Sequence, residues 1–212
     1  MIARVSVYTP VMGDAEERAS AHRDRPGPPP RLGPVGGRVY LRPPSAEDRS
    51  EFLTRARKSR ALHRPWTYAP EDDEAFSAYL ERCRKSIDGS LVRRREDDAI
   101  AGVINVSNIV LFGLRSAALG YYSFEPFAGQ WYMAAGLHLV LGRAFGDLGL
   151  HRLEANIQPG NTRSIALVKA AGFRFEGFSP RFLKIAGRWR DHERWAILAE
   201  DRRGTRLPRR TA

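Results

Sequence analysis

The sequence predicts an α/β protein built on a mixed, mostly antiparallel sheet flanked by helices. Three observations lead there. Three strand-like runs follow one another closely, LVRRRE (91–96), IAGVINVSNIVL (100–111) and AALGYYSF (117–124), and read as an antiparallel meander. After them helices and strands alternate, which is how parallel strand pairs are made. Ahead of all of it, RDRPGPPPRLGPVGG (23–37) holds five prolines and four glycines. Such a segment has too little apolar surface to fold, so residues 1–37 read as a disordered leader before a domain over 38–201.

Taken in order, RVYLRP (38–43) is the first strand. Ser45 then caps a helix over 45–59, with Asp48 at the reach-back position of a capping box. Trp66 and Tyr68 sit in a turn before a second helix over 70–86, whose first turn is acidic and last turn basic, the order the helix dipole favours. The meander comes next, its first two strands joined by an acidic turn at 97–98. A long helix follows over 132–147, then the strand LEANIQ (153–158). Asn161 caps a helix over 162–171, and the runs 173–185 and 189–198 form a closing hairpin around Ala186-Gly187. No internal repeat is visible.

Composition narrows the classes. A chain of 212 residues, 42% hydrophobic, can fill one core. No apolar run approaches the roughly 18–20 residues of a membrane span, and the N-terminus lacks the apolar core of a secretory signal, so the expected compartment is cytoplasmic. The single cysteine, Cys83, allows no internal disulfide and reads as an inert thiol. The net charge of +11 is uneven: +5 falls in the acid-free tail RRGTRLPRRTA (202–212), +1 in the leader and +5 in the domain. Such a tail suits either solubility or contact with RNA or a ribosome.

Local strings add more. GLHRLEANIQPGNTRSIALVKAAGFRFEG (149–177), LGYY (119–122) with FAGQWYM (127–133), and GRWRDH (187–192) come in an order and spacing that resemble the GNAT acyltransferases, and within them the RimJ/RimL type. The resemblance covers about 38–200. It implies a splayed central pair of parallel strands, 117–124 and 153–158, that opens to admit acetyl-CoA, and no metal. In this family the opened strand edge pairs with the amides of pantetheine, a role that falls on Tyr122, Ser123 and Phe124. A glycine-containing loop at a helix start holds the pyrophosphate, a role that falls on Gly129, Gln130, Trp131, Tyr132 and Met133. This chain departs from the family there, with Ala128 at the usual Gln/Arg and Trp131 at the usual central glycine. A negative φ at Trp131, its indole turned away, is what would accommodate it.

The resemblance also implies that Asn161 and Ser164 contact the cofactor, with Ser164 protonating the departing thiolate. Many relatives use a Tyr for that proton; here its position is Val168. Read from the residues alone, Asn161 and Ser164 are an N-cap and a first-turn residue. Glu154 is the candidate base, against an alternative as an arginine-paired strand carboxylate; Glu125 and Glu176 are weaker. Trp66, in the string His63-Arg64-Pro65-Trp66, is the candidate acceptor contact. His151 and His192 have no metal-ligand company and read as packing residues. The expected activity is acetyl transfer to a protein N-terminal α-amine, ribosomal-protein alanine in type. A small amine as acceptor, or a non-catalytic domain that binds RNA or ribosome through the tail, are the alternatives. A homodimer is left open.

Overall fold

The computed structural model describes residues 37–203. The leader, up to residue 36, and the basic tail from 204 lie outside the described residues. Within them the order is β1 (Val39–Arg42), α1 (Arg49–Lys58), α2 (Arg60–His63), α3 (Asp73–Lys85), β2 (Asp88–Arg94), β3 (Ile100–Val110), β4 (Ser116–Ser123), α4 (Tyr132–Phe145), β5 (Arg152–Ile157), α5 (Thr162–Ala170), β6 (Arg174–Ile185), β7 (Arg188–Leu198) and α6 (Ala199–Arg203). The strands form one seven-stranded sheet in the order β1-β2-β3-β4-β5-β7-β6. Every pairing is antiparallel except β4 with β5.

Side-chain alternation puts a core on each face of the sheet. On one face α4 and α5 cover Ile104, Val106, Ala117, Leu119, Leu153, Ala155 and Ile157. On the other, α1 and α3 bring Phe52, Phe76 and Tyr79 against Leu91, Val103 and Phe124. Gly136 lets α4 lie close: a Cβ there would sit 2.6 Å from Val92 Cγ2. The sheet is thus a middle layer, and whatever β4 and β5 hold between them opens toward both faces.

Boundaries differ from the sequence reading where capping decides them. The Ser45 N–H does donate to Asp48 Oδ2, at 2.7 Å, but Ala46–Asp48 form a 3-10 turn and α1 starts only at Arg49. Asp48 is drawn inward by Arg93, whose Nη1 lies 2.8 Å from its carboxylate. At Ser59 the helix breaks and resumes as α2. The second helix begins at Asp73, not residue 70, because Asp72 is the cap that accepts the Ala75 N–H at 2.8 Å. Helix α6 was not foreseen; it carries the chain past 201 to Arg203, its Asp201 accepting the Leu198 N–H at 3.1 Å.

Candidate active site

The central feature is a fork in the sheet. β4 and β5 pair only at Ser116, Ala117 and Ala118 with Arg152, Leu153 and Glu154, then part, while each keeps its outer neighbour. Which backbone groups face the fork follows from the ladders. Phe124 N–H donates to Ala101 O at 2.8 Å, so by alternation Tyr122 and Phe124 address β3, and Tyr121 and Ser123 face the opening. Across the fork, Ala199 N–H bonds His151 O, which turns the odd residues of β5 toward β7 and the backbone of Asn156 inward. The edge expected at Tyr122, Ser123 and Phe124 is therefore corrected: only Ser123 of the three turns its backbone toward the opening, joined by Tyr121. The Phe124 side chain is fully buried in the second core, and Tyr122 packs against it.

Near the mouth of the fork lies the start of α4. Its first intrahelical-type bond is Ala135 N–H to Trp131 O, 3.1 Å, so the N–H groups of Tyr132, Met133 and Ala134 have no partner within the helix. The approach loop turns through two left-handed residues, Gly129 at φ 78° and Trp131 at φ 68°. The negative φ that would have accommodated Trp131 is thus not the one it adopts. The tight entry into α4 demands the left-handed conformation, and a β-carbon there costs about 1–2 kcal/mol. Gln130 holds the loop by donating its side-chain amide to Pro126 O at 2.8 Å.

On the α5 side of the fork, Asn161 is the N-cap, accepting the Ser164 N–H at 3.2 Å. The Ser164 hydroxyl is not free: Oγ donates to Tyr121 Oη at 2.6 Å, and Tyr121 Oη lies 3.1 Å from the Ser164 carbonyl, to which it donates. Burial pushes the Tyr121 hydroxyl up to about 12, its bond with Ser164 acting the other way. Tyr121 thus stays protonated near neutrality, and it is the site residue the sequence reading missed. Its signal was present in the LGYY strand, whose alternation sends Tyr121 to the α5 face and Tyr122 to the other. Val168 is fully buried in the core, so no hydroxyl stands where many relatives have one.

The opposite face is walled by α2. His63 Nε2 donates to Ser123 O at 2.7 Å, and one turn earlier Ser59 Oγ accepts the Glu125 N–H at 2.9 Å. Trp66 is half-buried, its ring against the loop after β5 (a Cβ on Gly160 would stand 3.0 Å from it), and its carbonyl accepts from Gln158 Nε2 at 3.3 Å. Glu154 is beside the fork but not free: Arg152 Nε binds it at 2.7 Å and the same guanidinium ion-pairs with Glu176. The Glu176 contact raises the Arg152 pKa, and the same bond lowers that of Glu176. Alternation along β5 also puts Glu154 on the face away from Leu153 and Ala155, hence away from Ser164. That geometry is the arginine-paired carboxylate, and it gives Glu154 no contact with the Ser164 hydroxyl. His192 is buried, its Nδ1 bonded to Arg190 O at 2.9 Å, and His151 pairs with Glu200 at 3.2 Å. Among the described residues no cluster of three or more His, Cys, Asp or Glu side chains could hold a metal, and no helix is long and apolar enough to cross a membrane.

A parallel pair that parts between a helix N-terminus and a part-buried hydroxyl pair presents backbone donors and acceptors to an extended ligand. Comparison with known proteins gives the family. Residues 38–174 match the acetyltransferase (GNAT) domain, and the chain belongs to that family of acetyl-CoA-dependent N-acetyltransferases. It is 30% identical to the probable N-acetyltransferase YjcK of Bacillus subtilis, over 78% of this chain and 97% of that one. It is 33% identical to the ribosomal protein uS5-alanine N-acetyltransferase of Escherichia coli, over 50% of this chain and 55% of that enzyme. Mycobacterium smegmatis RimJ, solved in complex with CoA-disulfide, superposes with a TM-score of 0.71 at 28% identity, over 79% of this chain and 85% of that one.

Proposed function

We propose that this chain moves the acetyl group of acetyl-CoA onto the α-amine at a protein N-terminus, ribosomal-protein alanine termini being the favoured class. The observation that carries the reading is the fork, which turns the Ser123 N–H into the opening on the same strand whose Tyr121 holds Ser164. Acetyl-CoA supplies a thioester, an acyl group ready for transfer to an amine. Tyr121 and Asn156 offer strand-edge groups to the amides of pantetheine. The N–H groups of Tyr132, Met133 and Ala134, with that of Gly129 in the loop before them, suit the pyrophosphate, while Gln130, its N–H on Phe127 O at 3.3 Å, shapes the loop. The Ser123 N–H stabilises negative charge on the carbonyl oxygen as the amine attacks. As the C–S bond breaks, the Ser164 hydroxyl turns from Tyr121 to give its proton to the departing thiolate and regains one from the acylated amine, directly or through water, while Asn161 keeps the start of α5 in place.

Glu154 is ion-paired with Arg152 on the face away from Ser164, which favours a nucleophile that has a sizeable neutral fraction of its own. An α-amine, pKa near 8, is roughly a tenth neutral at pH 7, whereas a lysine near 10.4 is neutral less than about 0.1% of the time. Trp66, over the loop after β5, is the acceptor contact. The likeness to RimJ and to the uS5-alanine enzyme supports the same class. The test is kcat/KM for a peptide beginning with Ala against spermidine and a lysine-bearing, N-terminally blocked peptide. The Ala peptide should lead by at least about tenfold; a lead for spermidine would replace the acceptor class.

A further inference from the structure

We infer that His63 is a positioning residue that ends the acyl-CoA track along β4 and so sets where the thioester stands against the acceptor, an inference that rests on the acetyl-transfer reading above. Of the β4 groups facing the fork, Ser123 is the last, and it has both an N–H and a C=O to offer. His63 engages the second. A carbonyl oxygen only accepts, so the proton sits on Nε2, 2.7 Å away. The ring is 3% exposed, 5.2 Å from the ring of Tyr122 and 5.9 Å from that of Phe124.

With one lone pair of its C=O filled by His63, Ser123 keeps its N–H as the fully free group, which fits a thioester carbonyl oxygen. A pantetheine amide N–H slipped one pairing further along the edge would have to share that C=O with the imidazole. The same helix is fastened beyond this point by Ser59, fully buried, which accepts from Glu125 N–H and donates to Arg55 O at 2.7 Å. Packing alone does not ask for a histidine here. Nδ1 is buried with no hydrogen-bond partner, a cost that an apolar side chain of the same volume would not incur. What the histidine adds over a leucine is the bond to Ser123. It also joins the wall of the acceptor side directly to the edge that holds the thioester.

Two variants of the full chain test this. His63→Leu keeps volume and loses the donor; His63→Gln keeps an N–H donor of similar reach. The readouts are CoA affinity by calorimetry, kcat and KM for the acceptor, and the ratio of CoA thiol released to acetyl transferred. His63→Leu should bind CoA within about threefold of the parent, lose about 10- to 100-fold in kcat as misplacement of the reacting centre does, and release thiol in excess of product. His63→Gln should restore most of the kcat and the coupling. Parent-like turnover and coupling in the Leu variant, or equal impairment of both variants at equal melting temperature, would overturn the inference. Nitrogen-15 spectra of the parent's histidines give an independent reading if the Leu variant does not fold. A slowly exchanging Nε2–H tautomer at His63, unchanged by CoA, is expected, and an Nδ1–H tautomer would refute the contact. A parent that acetylates no amine would instead fail the reading of function, leaving the tautomer result to judge the His63–Ser123 bond alone.

Discussion

At the scale of single residues the account turns on two hydroxyls. Ser164→Ala removes the proposed proton donor, so turnover on acetyl-CoA should fall about 10- to 1,000-fold, while CoA affinity changes little. Tyr121→Phe keeps the ring in the core and removes only the group that holds Ser164. It should lower kcat by about tenfold and stability by about 1 kcal/mol, the usual net worth of one hydrogen bond. Asn161→Ala should behave differently, losing about 1 kcal/mol of cap and CoA affinity together. Steady-state kinetics with thermal melts would separate the three, and normal turnover by Ser164→Ala would reduce it to a first-turn residue. Histidines give a second handle. Burial lowers the pKa of His63 and His192 in the folded state. As pH falls through about 6.5 the unfolded chain takes up protons that these sites refuse. Their contribution is therefore complete above that value and lost as pH descends toward the folded pKa. The melting temperature should drop between pH 7.5 and 5, and a flat profile would contradict the burial.

At the scale of elements, the start of α4 carries the tension. Trp131 occupies a left-handed position without a side-chain cap. Replacing it by glycine relieves about 1–2 kcal/mol of steric cost against roughly 0.5–1 kcal/mol of added chain entropy. Trp131→Gly should thus be stabilised by at most about 1.5 kcal/mol and bind CoA more tightly, since the backbone could approach the pyrophosphate more closely. Calorimetric titration of both forms decides it; weaker binding by the glycine form would mean that the indole itself assists. Elements were legible in the sequence where periodicity and caps agree: Asn161 at α5, the meander, the closing hairpin. The conformation at Trp131 was not, because side-chain type argues against it while tertiary entry into α4 imposes it. The direction of the β4 backbone was not legible either. Hydrophobic alternation separates Tyr121 from Tyr122 by face, but which peptide groups stay unpaired depends on the parting of two strands some 35 residues apart in the chain. Glu154 shows the same limit, since its neutralisation depends on an arginine two residues before it and on Glu176 across the hairpin.

For the whole molecule, charge and site have to be told apart. Truncation after Arg203 removes residues 204–212 with three arginines and leaves α6 intact. Turnover on a short peptide should survive. Apparent affinity for an intact ribosomal protein should fall, most at low salt where charge steering is least screened. Equal affinity across a salt series would take the tail out of recognition. The central claim is that the parted β4–β5 pair delivers acetyl to an α-amine without a protein base, and its most direct test is where the acetyl group lands. A peptide that begins with Ala and carries an internal lysine, incubated with acetyl-CoA and the full chain, can be mapped by tandem mass spectrometry. The account predicts acetyl on the terminal α-amine alone, dependent on Ser164; acetyl on the lysine, or none on either amine, would contradict it.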